Sequence, residues 1–174
     1  MNAVKALSQY LDRPLRLVQP SVWKRVFELR AGETVLMTMR FEKWYSTLPF
    51  IEGFGGTWLL SKPSFWRPTL DVTAKGSQLP FARFVTGKWG RGGTFELPNG
   101  ERILYTADPW KMNGAHELFT PNTVRLASIR RESVWKSVLT VTIDRSSELL
   151  DRHPWVLMVV HHIVQERRSR AAAM

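Results

Sequence analysis

The 174-residue sequence contains no cysteine. This absence excludes disulfide bonds, thiolate zinc sites and cysteine nucleophiles, although it does not identify the compartment. Histidine is scarce, with four residues, and no His-Glu-x-x-His, Gly-x-Ser-x-Gly or P-loop sequence occurs. We therefore expect no catalytic residues, no metal and no cofactor, and a protein that is not an enzyme.

The four histidines offer two weak alternatives to this expectation. His161 and His162 are adjacent, so on a helix their side chains point about 100° apart, which suits a buried core better than a shared metal. His116 and Glu117 are neighbours in sequence and could form an acid–base pair only if the fold brought both to one place.

Long apolar segments are also lacking. A membrane-spanning helix needs about 20 apolar residues, whereas the apolar run from Trp155 to Val164 covers ten and includes two histidines. The first 20 residues have no secretory signal pattern.

Val4, Leu7 and Leu11 share a helical face, which predicts a short N-terminal helix that docks on the core or lies on a membrane surface. We expect a cytoplasmic protein, able to lie peripherally at a membrane surface.

Positive charge and tryptophan are abundant. The net charge is +10, and there are eight tryptophans. Such a chain attracts anions, which include nucleic acid, anionic lipid and phosphorylated ligands; the alternative is that the charge serves solubility alone.

Several runs alternate between apolar and polar residues, as half-buried strands do. Residues 22–29 place Trp23, Phe27 and Leu29 on one face. Residues 34–43 and 134–144 alternate in the same way, the first from Val35 to Phe41 and the second from Trp135 to Ile143. Turn sequences separate the runs at residues 31–33, 90–93, 98–101 and 120–123. Short strands at such intervals predict an antiparallel barrel or sandwich.

Two segments resemble each other and indicate recurring hairpins. VFELRAGETVL at 26–36 and TFELPNGERIL at 94–104 share Phe-Glu-Leu-x-x-Gly-Glu-x-x-Leu. Asn99-Gly100 suits a type I′ turn, in which both central residues have positive φ. Chance, or shared turn chemistry, is the alternative explanation of the repeat.

The sequence HPWVLMVVHHIVQERRSR at 153–170 predicts a helix that is apolar nearly all round and therefore buried on all sides. Pro154 can open the helix. We predict that residues 154–165 are helical and enclosed by the sheet. Its expected core residues are Trp155, Leu157, Val159, Val160 and Ile163. The predicted fold class is all-β, an antiparallel β-barrel with this buried C-terminal α-helix through it.

The order of these features resembles the tubby C-terminal-like superfamily, which includes tubby domains, phospholipid scramblases and LURP-one-related proteins. The resemblance rests on the early hairpin at 22–43, the segments FGGTWLLSKPSFWRPTLDV and GGTFELPNGERILYTADPW, and the terminal apolar helix. It covers roughly residues 20 to 166. The tubby signature sequences, a scramblase-type cysteine cluster and a calcium loop are absent, so the resemblance supports the fold more than any activity.

The resemblance implies a β-barrel threaded by its C-terminal helix. We expect one domain over residues 1–174. Its expected parts are an N-terminal extension (1–19), barrel strands (20–152), a central helix (153–166) and a basic tail (167–174).

Three clusters of cations with tryptophan or glycine are the candidate ligand-binding residues. They are Lys88, Trp89 and Arg91 in the Gly-rich segment 87–93, the pair Arg130 and Arg131, and the pair Lys43 and Trp44. Arginine binds phosphate bidentately, glycines let backbone N–H groups approach an anion, and tryptophan suits a bilayer interface. The alternative is a flexible hairpin loop and solvated charges at the barrel rim.

The function expected from these residues is non-enzymatic binding of an anionic ligand, such as a phospholipid or phosphoinositide headgroup; the wider tubby-like group includes phosphoinositide binders. The alternative is a basic nucleic-acid-binding barrel, which the charge supports and the lack of a basic-aromatic platform on one strand pair opposes. A small hydrolase would need a converging acid–base cluster.

Overall fold

The structure is a computed structural model that describes residues 6–21, 23–43, 48–64, 66–88, 91–107, 114–132 and 138–173. Twelve antiparallel strands form a closed barrel in which neighbours in sequence are neighbours in space, and β1 pairs with β12 to complete the ring. The strands are β1 (Leu15–Val18), β2 (Val26–Ala31), β3 (Thr34–Arg40), β4 (Phe50–Gly53), β5 (Gly56–Ser61), β6 (Thr69–Ala74), β7 (Ala82–Thr86), β8 (Gly92–Glu96), β9 (Arg102–Ala107), β10 (His116–Phe119), β11 (Arg125–Arg131) and β12 (Leu139–Ile143). Two helices follow, α1 (Glu148–Arg152) and α2 (Val156–Ala172). The predicted fold class is confirmed.

Period-2 alternation of apolar residues directs one face of each strand inward. In β12, Leu139, Val141 and Ile143 are all buried, while the intervening threonines are not. In β3, Met37 and Met39 are buried as expected.

In two of the predicted strands, the alternation places a residue on the core face that the structure shows to be exposed. Trp23 was expected on the core face, but it precedes β2 and is 93% exposed. Val35 is 43% exposed, because a register shift between Leu29 and Arg30 interrupts the β2–β3 ladder opposite it. Trp135 lies outside the described residues.

The turn chemistry is confirmed at the β8–β9 hairpin. Asn99 and Gly100 both have positive φ, of 62° and 73°, as a type I′ turn requires. The two similar segments form the β2–β3 and β8–β9 hairpins of one sheet, and Gly32 in the first also has positive φ.

The N-terminal segment docks on the core. Leu7–Tyr10 form a 3₁₀ helix instead of a longer amphipathic one, and Leu7 is fully buried. The backbone N–H of Ser8 donates to Oδ1 of Asp151 at 2.8 Å, which ties the segment to α1. The barrel also begins earlier than residue 20, because Leu15 and Leu17 of β1 complete its inner face.

Helix α2 lies in the centre of the barrel, as predicted. All of its expected core residues are at most 6% exposed. Trp155 contacts Phe81 and Phe95, with ring centroids 5.8 and 6.1 Å away. The helix starts two residues after Pro154 and continues to Ala172 instead of ending at 166, because Glu, Arg and Ala are good helix formers. In the described part of the chain, no helix is long and apolar enough to cross a membrane.

Candidate anion-binding site at one end of the barrel

The alternating strand directions sort the connections between two ends of the barrel. The connections that follow odd-numbered strands meet at the end where α2 leaves the barrel, which we call the exit end. Their described residues are 19–21, 23–25, 41–43, 48–49, 62–64, 66–68, 87–88, 91, 114–115, 132 and 138. The remaining connections meet at the opposite end, where α2 begins. They are residues 32–33, 54–55, 75–81, 97–101, 120–124 and 144–147.

The two ends differ strongly in sequence. The described residues of the exit-end connections include seven lysines and arginines: Lys24, Arg25, Lys43, Lys62, Arg67, Lys88 and Arg91. The opposite connections contain two, Lys75 and Arg145. Among the described residues, the exit-end connections have two acidic residues and the opposite connections have three. Most of the excess positive charge in connections therefore belongs to the exit end.

The structure brings most of the described candidate residues to this end. Lys43, Lys88 and Arg91 are exposed in its connections, and half-buried Arg131 lies at the exit-end terminus of β11. Trp44 and Trp89 lie outside the described residues. Arg130 is exposed on the barrel wall, because adjacent residues of a strand point to opposite sides, so Arg130 and Arg131 do not act as a pair.

Two glycines of segment 87–93 serve packing. A Cβ on Gly92 would lie 2.4 Å from the carbonyl oxygen of Tyr105, and a Cβ on Gly93 would lie 2.3 Å from Cζ of Phe84. Both residues belong to β8 and pair with β9. Their lack of a side chain permits close approach within the barrel, which was not the expected anion-cradling role.

Sequence reasoning missed a cleft of 680 Å³ at the exit end, between α2 and the start of β6. Four cations line it: Lys62, Arg67, Arg167 and Arg170. The carboxylate among its lining residues, Glu166, accepts a hydrogen bond from Nζ of Lys62 at 2.7 Å. The cleft therefore carries an excess of positive charge.

Two polar atoms of this cleft's lining residues are buried without a hydrogen-bond partner in the described part of the structure. They are Oγ1 of Thr69 and Nη2 of Arg167. The Arg167 guanidinium carbon lies 5.7 Å from the centre of the Tyr105 ring. Because buried polar atoms are normally hydrogen-bonded, these two atoms are candidate donors to an anion that enters the cleft.

Cations crowd one another around the emerging helix. Burial, and then the charge of Arg131, lower the pKa of Arg168. A neighbouring 370 Å³ cleft, which shares Glu166 and Arg170 with the first, includes Arg25, whose guanidinium stacks 3.8 Å from the centre of the Phe41 ring. An anion bound at this end would relieve the repulsion.

Beneath these cations lies His116, which burial favours in its neutral form. The hydroxyl of Tyr105 is hydrogen-bonded to Nδ1 of His116 at 2.9 Å. Burial, with the charges of Arg167 and Arg168, lowers the pKa of His116 to about 4. Glu117 points to the other side of β10 and pairs with Arg125 at 3.0 Å, so it forms no acid–base pair with His116. Over the described ranges, no three histidine or acidic side chains converge as metal ligands.

Sequence signals existed for part of this site. Residues 167–174 were read as a basic tail, but the extension of α2 holds Arg167 against the barrel mouth, and only the three-dimensional path of the helix reveals that. Comparison of the chain with protein-family models, curated proteins and solved structures finds no match.

Proposed function

We propose that this chain is a non-enzymatic, tubby-like barrel protein that binds the phosphorylated headgroup of an anionic phospholipid or phosphoinositide at the exit end. The observation that carries the proposal is the 680 Å³ cleft with unpartnered Arg167 Nη2 and Thr69 Oγ1. A phosphate oxygen can accept hydrogen bonds from both a guanidinium and a hydroxyl. The resemblance to a group that includes phosphoinositide binders supports the same ligand class.

The energetics favour a charged ligand over a neutral one. An unsatisfied buried polar group costs about 1–3 kcal/mol, and a hydrogen bond to a charged partner contributes about 1.5–3 kcal/mol. Both residues line the cleft, so our proposal includes a turn of the Arg167 side chain toward the bound anion. Lys62, Arg67 and Arg170 then surround the phosphate.

Lipid is a better fit than nucleic acid. Single-stranded nucleic acid is bound by aromatic side chains in a row along a basic groove. Among the residues that the structure describes, the exposed aromatic side chains are Trp23 and Trp66, which lie in two separate connections. This arrangement suits a planar surface, and we propose a cytoplasmic protein that works at the face of a membrane.

Calorimetric titration with a soluble inositol polyphosphate tests the proposal. We expect Arg167→Gln to weaken binding at least about tenfold, because a charge-assisted hydrogen bond is lost. Thr69→Val, which keeps the shape of the side chain, should weaken binding less. The matched control is Lys75→Gln/Arg145→Gln, which removes two exposed cations from the opposite end.

Equal affinity of wild type and Arg167→Gln, or no binding by wild type, overturns the cleft as the site. Tight binding of a single-stranded oligonucleotide, with none of the inositol polyphosphate, replaces lipid with nucleic acid.

A further inference from the structure

We infer that the exit end docks on an anionic bilayer, with exposed tryptophans inserted at the interface and the barrel standing on that end. The inference deepens the proposed function, on which it rests for the choice of lipid. The inserting surface, which we call the tryptophan rim, consists of Trp23 and Trp66, the exit-end tryptophans that the structure describes.

Both members of the tryptophan rim face solvent. Trp23 is 93% exposed and Trp66 is 87% exposed. A large indole ring so exposed leaves apolar area in water that a folded domain normally covers. At a bilayer interface the same ring buries its apolar body among lipids while its N–H stays at the headgroup level. A bilayer at the exit end would therefore cover apolar area on both rings.

The two members of the rim lie in separate connections at the exit end. Trp23 is in the β1–β2 connection, and Trp66 is in the β5–β6 connection, which starts four of the twelve strands further around the ring. A flat surface laid across the exit end contacts both rings. The occupant that fits is therefore planar and extended, as a bilayer is.

Cations adjoin each tryptophan in the sequence, and they favour a bilayer of negative charge. Lys24 and Arg25 follow Trp23, and Arg67 follows Trp66. Arg167, Arg168 and Arg170 leave the barrel at the same end on α2. Each cation close to an anionic leaflet strengthens attachment, and tryptophan next to lysine or arginine is a pairing that anchors proteins at membrane interfaces.

The sequence repeats this pairing between other strands. Each of the six stretches that follow an odd-numbered strand contains a tryptophan directly beside a lysine or arginine, and the stretches that follow even-numbered strands up to Ser147 contain no tryptophan. The four other tryptophans are Trp44, Trp89, Trp110 and Trp135; they lie outside the described residues, and only chain order assigns them to these connections. Of the remaining two, Trp58 is in β5 and Trp155 is in the core.

The test measures tryptophan fluorescence and binding with phosphatidylcholine vesicles, with and without phosphatidylserine, whose acyl chains are brominated. We expect quenching of wild type by the phosphatidylserine vesicles. Trp23→Ser is the most direct variant, because Trp23 lines neither cleft and is 93% exposed. It should reduce the quenching and weaken vesicle binding about tenfold, since burial of one large apolar side chain is lost.

The matched control is Leu79→Ser at the opposite end, which also removes an exposed apolar side chain, one that is 77% exposed. It should bind vesicles as wild type does. Absence of quenching at saturating lipid, or equal loss in both variants, overturns docking by the exit end.

The two proposals fail in distinguishable ways. If the inositol polyphosphate binds but vesicles do not quench, the cleft serves a soluble anion and the docking inference is wrong. If Arg167→Gln leaves inositol polyphosphate binding intact while vesicles still quench Trp23, the cleft is wrong and docking stands.

Discussion

The imidazole of His161 packs edge-on against the ring of Phe27 inside the barrel, with centroids 4.8 Å apart and ring planes at 64°. Neither ring nitrogen of His161 has a hydrogen-bond partner among the residues that the structure describes. Burial, with the neighbouring charges of Arg168 and other histidines, lowers its pKa to about 3. The folded barrel therefore holds this imidazole neutral, and protonation opposes folding.

We expect the barrel to lose stability in mild acid. Burial also lowers the pKa of His116 and of His162 to about 4. In the unfolded chain each histidine titrates near 6.5, so the unfolded state binds more protons below that pH. The free energy of unfolding should fall as pH drops from about 6.5 toward about 4, by up to about 1.4 kcal/mol per pH unit for each histidine. Urea titrations across this range measure it, and a flat profile above about pH 5 contradicts the prediction.

His161→Leu should reduce the fall in the free energy of unfolding between about pH 6.5 and about pH 4 by the contribution of one histidine. It replaces a buried polar ring that has no partner with an apolar side chain, so the free energy of unfolding near pH 7 should stay equal or rise.

Glu101, whose pKa the hydrogen bond from Arg152 lowers, is a second acid-sensitive group. Its contribution is lost only as pH falls below the ordinary carboxyl range, so measurements above about pH 5 separate it from the histidines.

The central helix should be indispensable for folding. Leu157 is fully buried in α2, so Leu157→Ala should lower the free energy of unfolding by about 2–5 kcal/mol. Leu79→Ala, at an exposed position, should change it by less than about 0.5 kcal/mol. A chain ending at Asp151 loses all of α2 and should not fold, since a domain's whole stability is only about 5–15 kcal/mol. Cooperative melting of the truncated chain, observed by circular dichroism, would refute the central role of the helix.

Gly93 should not tolerate a side chain. The Cβ of Gly93→Ala would meet the ring of Phe84 and the carbonyl oxygen of Val85, each about 2.5 Å away or closer. Overpacking of this kind costs about 1–3 kcal/mol. Gly87→Ala is the control, because its Cβ would meet nothing nearer than 3.4 Å. Thermal melting of both variants checks the prediction, and equal melting temperatures would show that Gly93 has no packing role.

The barrel was predictable because its rules are local. Alternation such as that from Leu139 to Ile143 reports which side of a strand is buried, and an all-round apolar helix requires enclosure. The same alternation misplaced Trp23, since a pattern in the sequence does not show where pairing stops. The cleft was not predictable, because Thr69 and Arg167 are far apart in the chain and line one cleft only through the path of α2.

The position of the cations, and not only their number, should determine binding to anionic vesicles. Exposed charges act within a Debye length of about 10 Å at 0.1 M salt, so attachment should weaken as salt is added, down to a salt-resistant part supplied by tryptophan insertion. Lys88→Gln/Arg91→Gln removes two exit-end cations, each worth about 1 kcal/mol of binding free energy beside an anionic bilayer. We expect roughly thirtyfold weaker binding in low salt and a shallower salt dependence. Lys75→Gln/Arg145→Gln lowers the net charge equally at the opposite end and should bind as wild type does. Vesicle co-sedimentation over a salt series compares the three proteins, and equal weakening of both variants would mean that net charge alone attracts the protein to the bilayer.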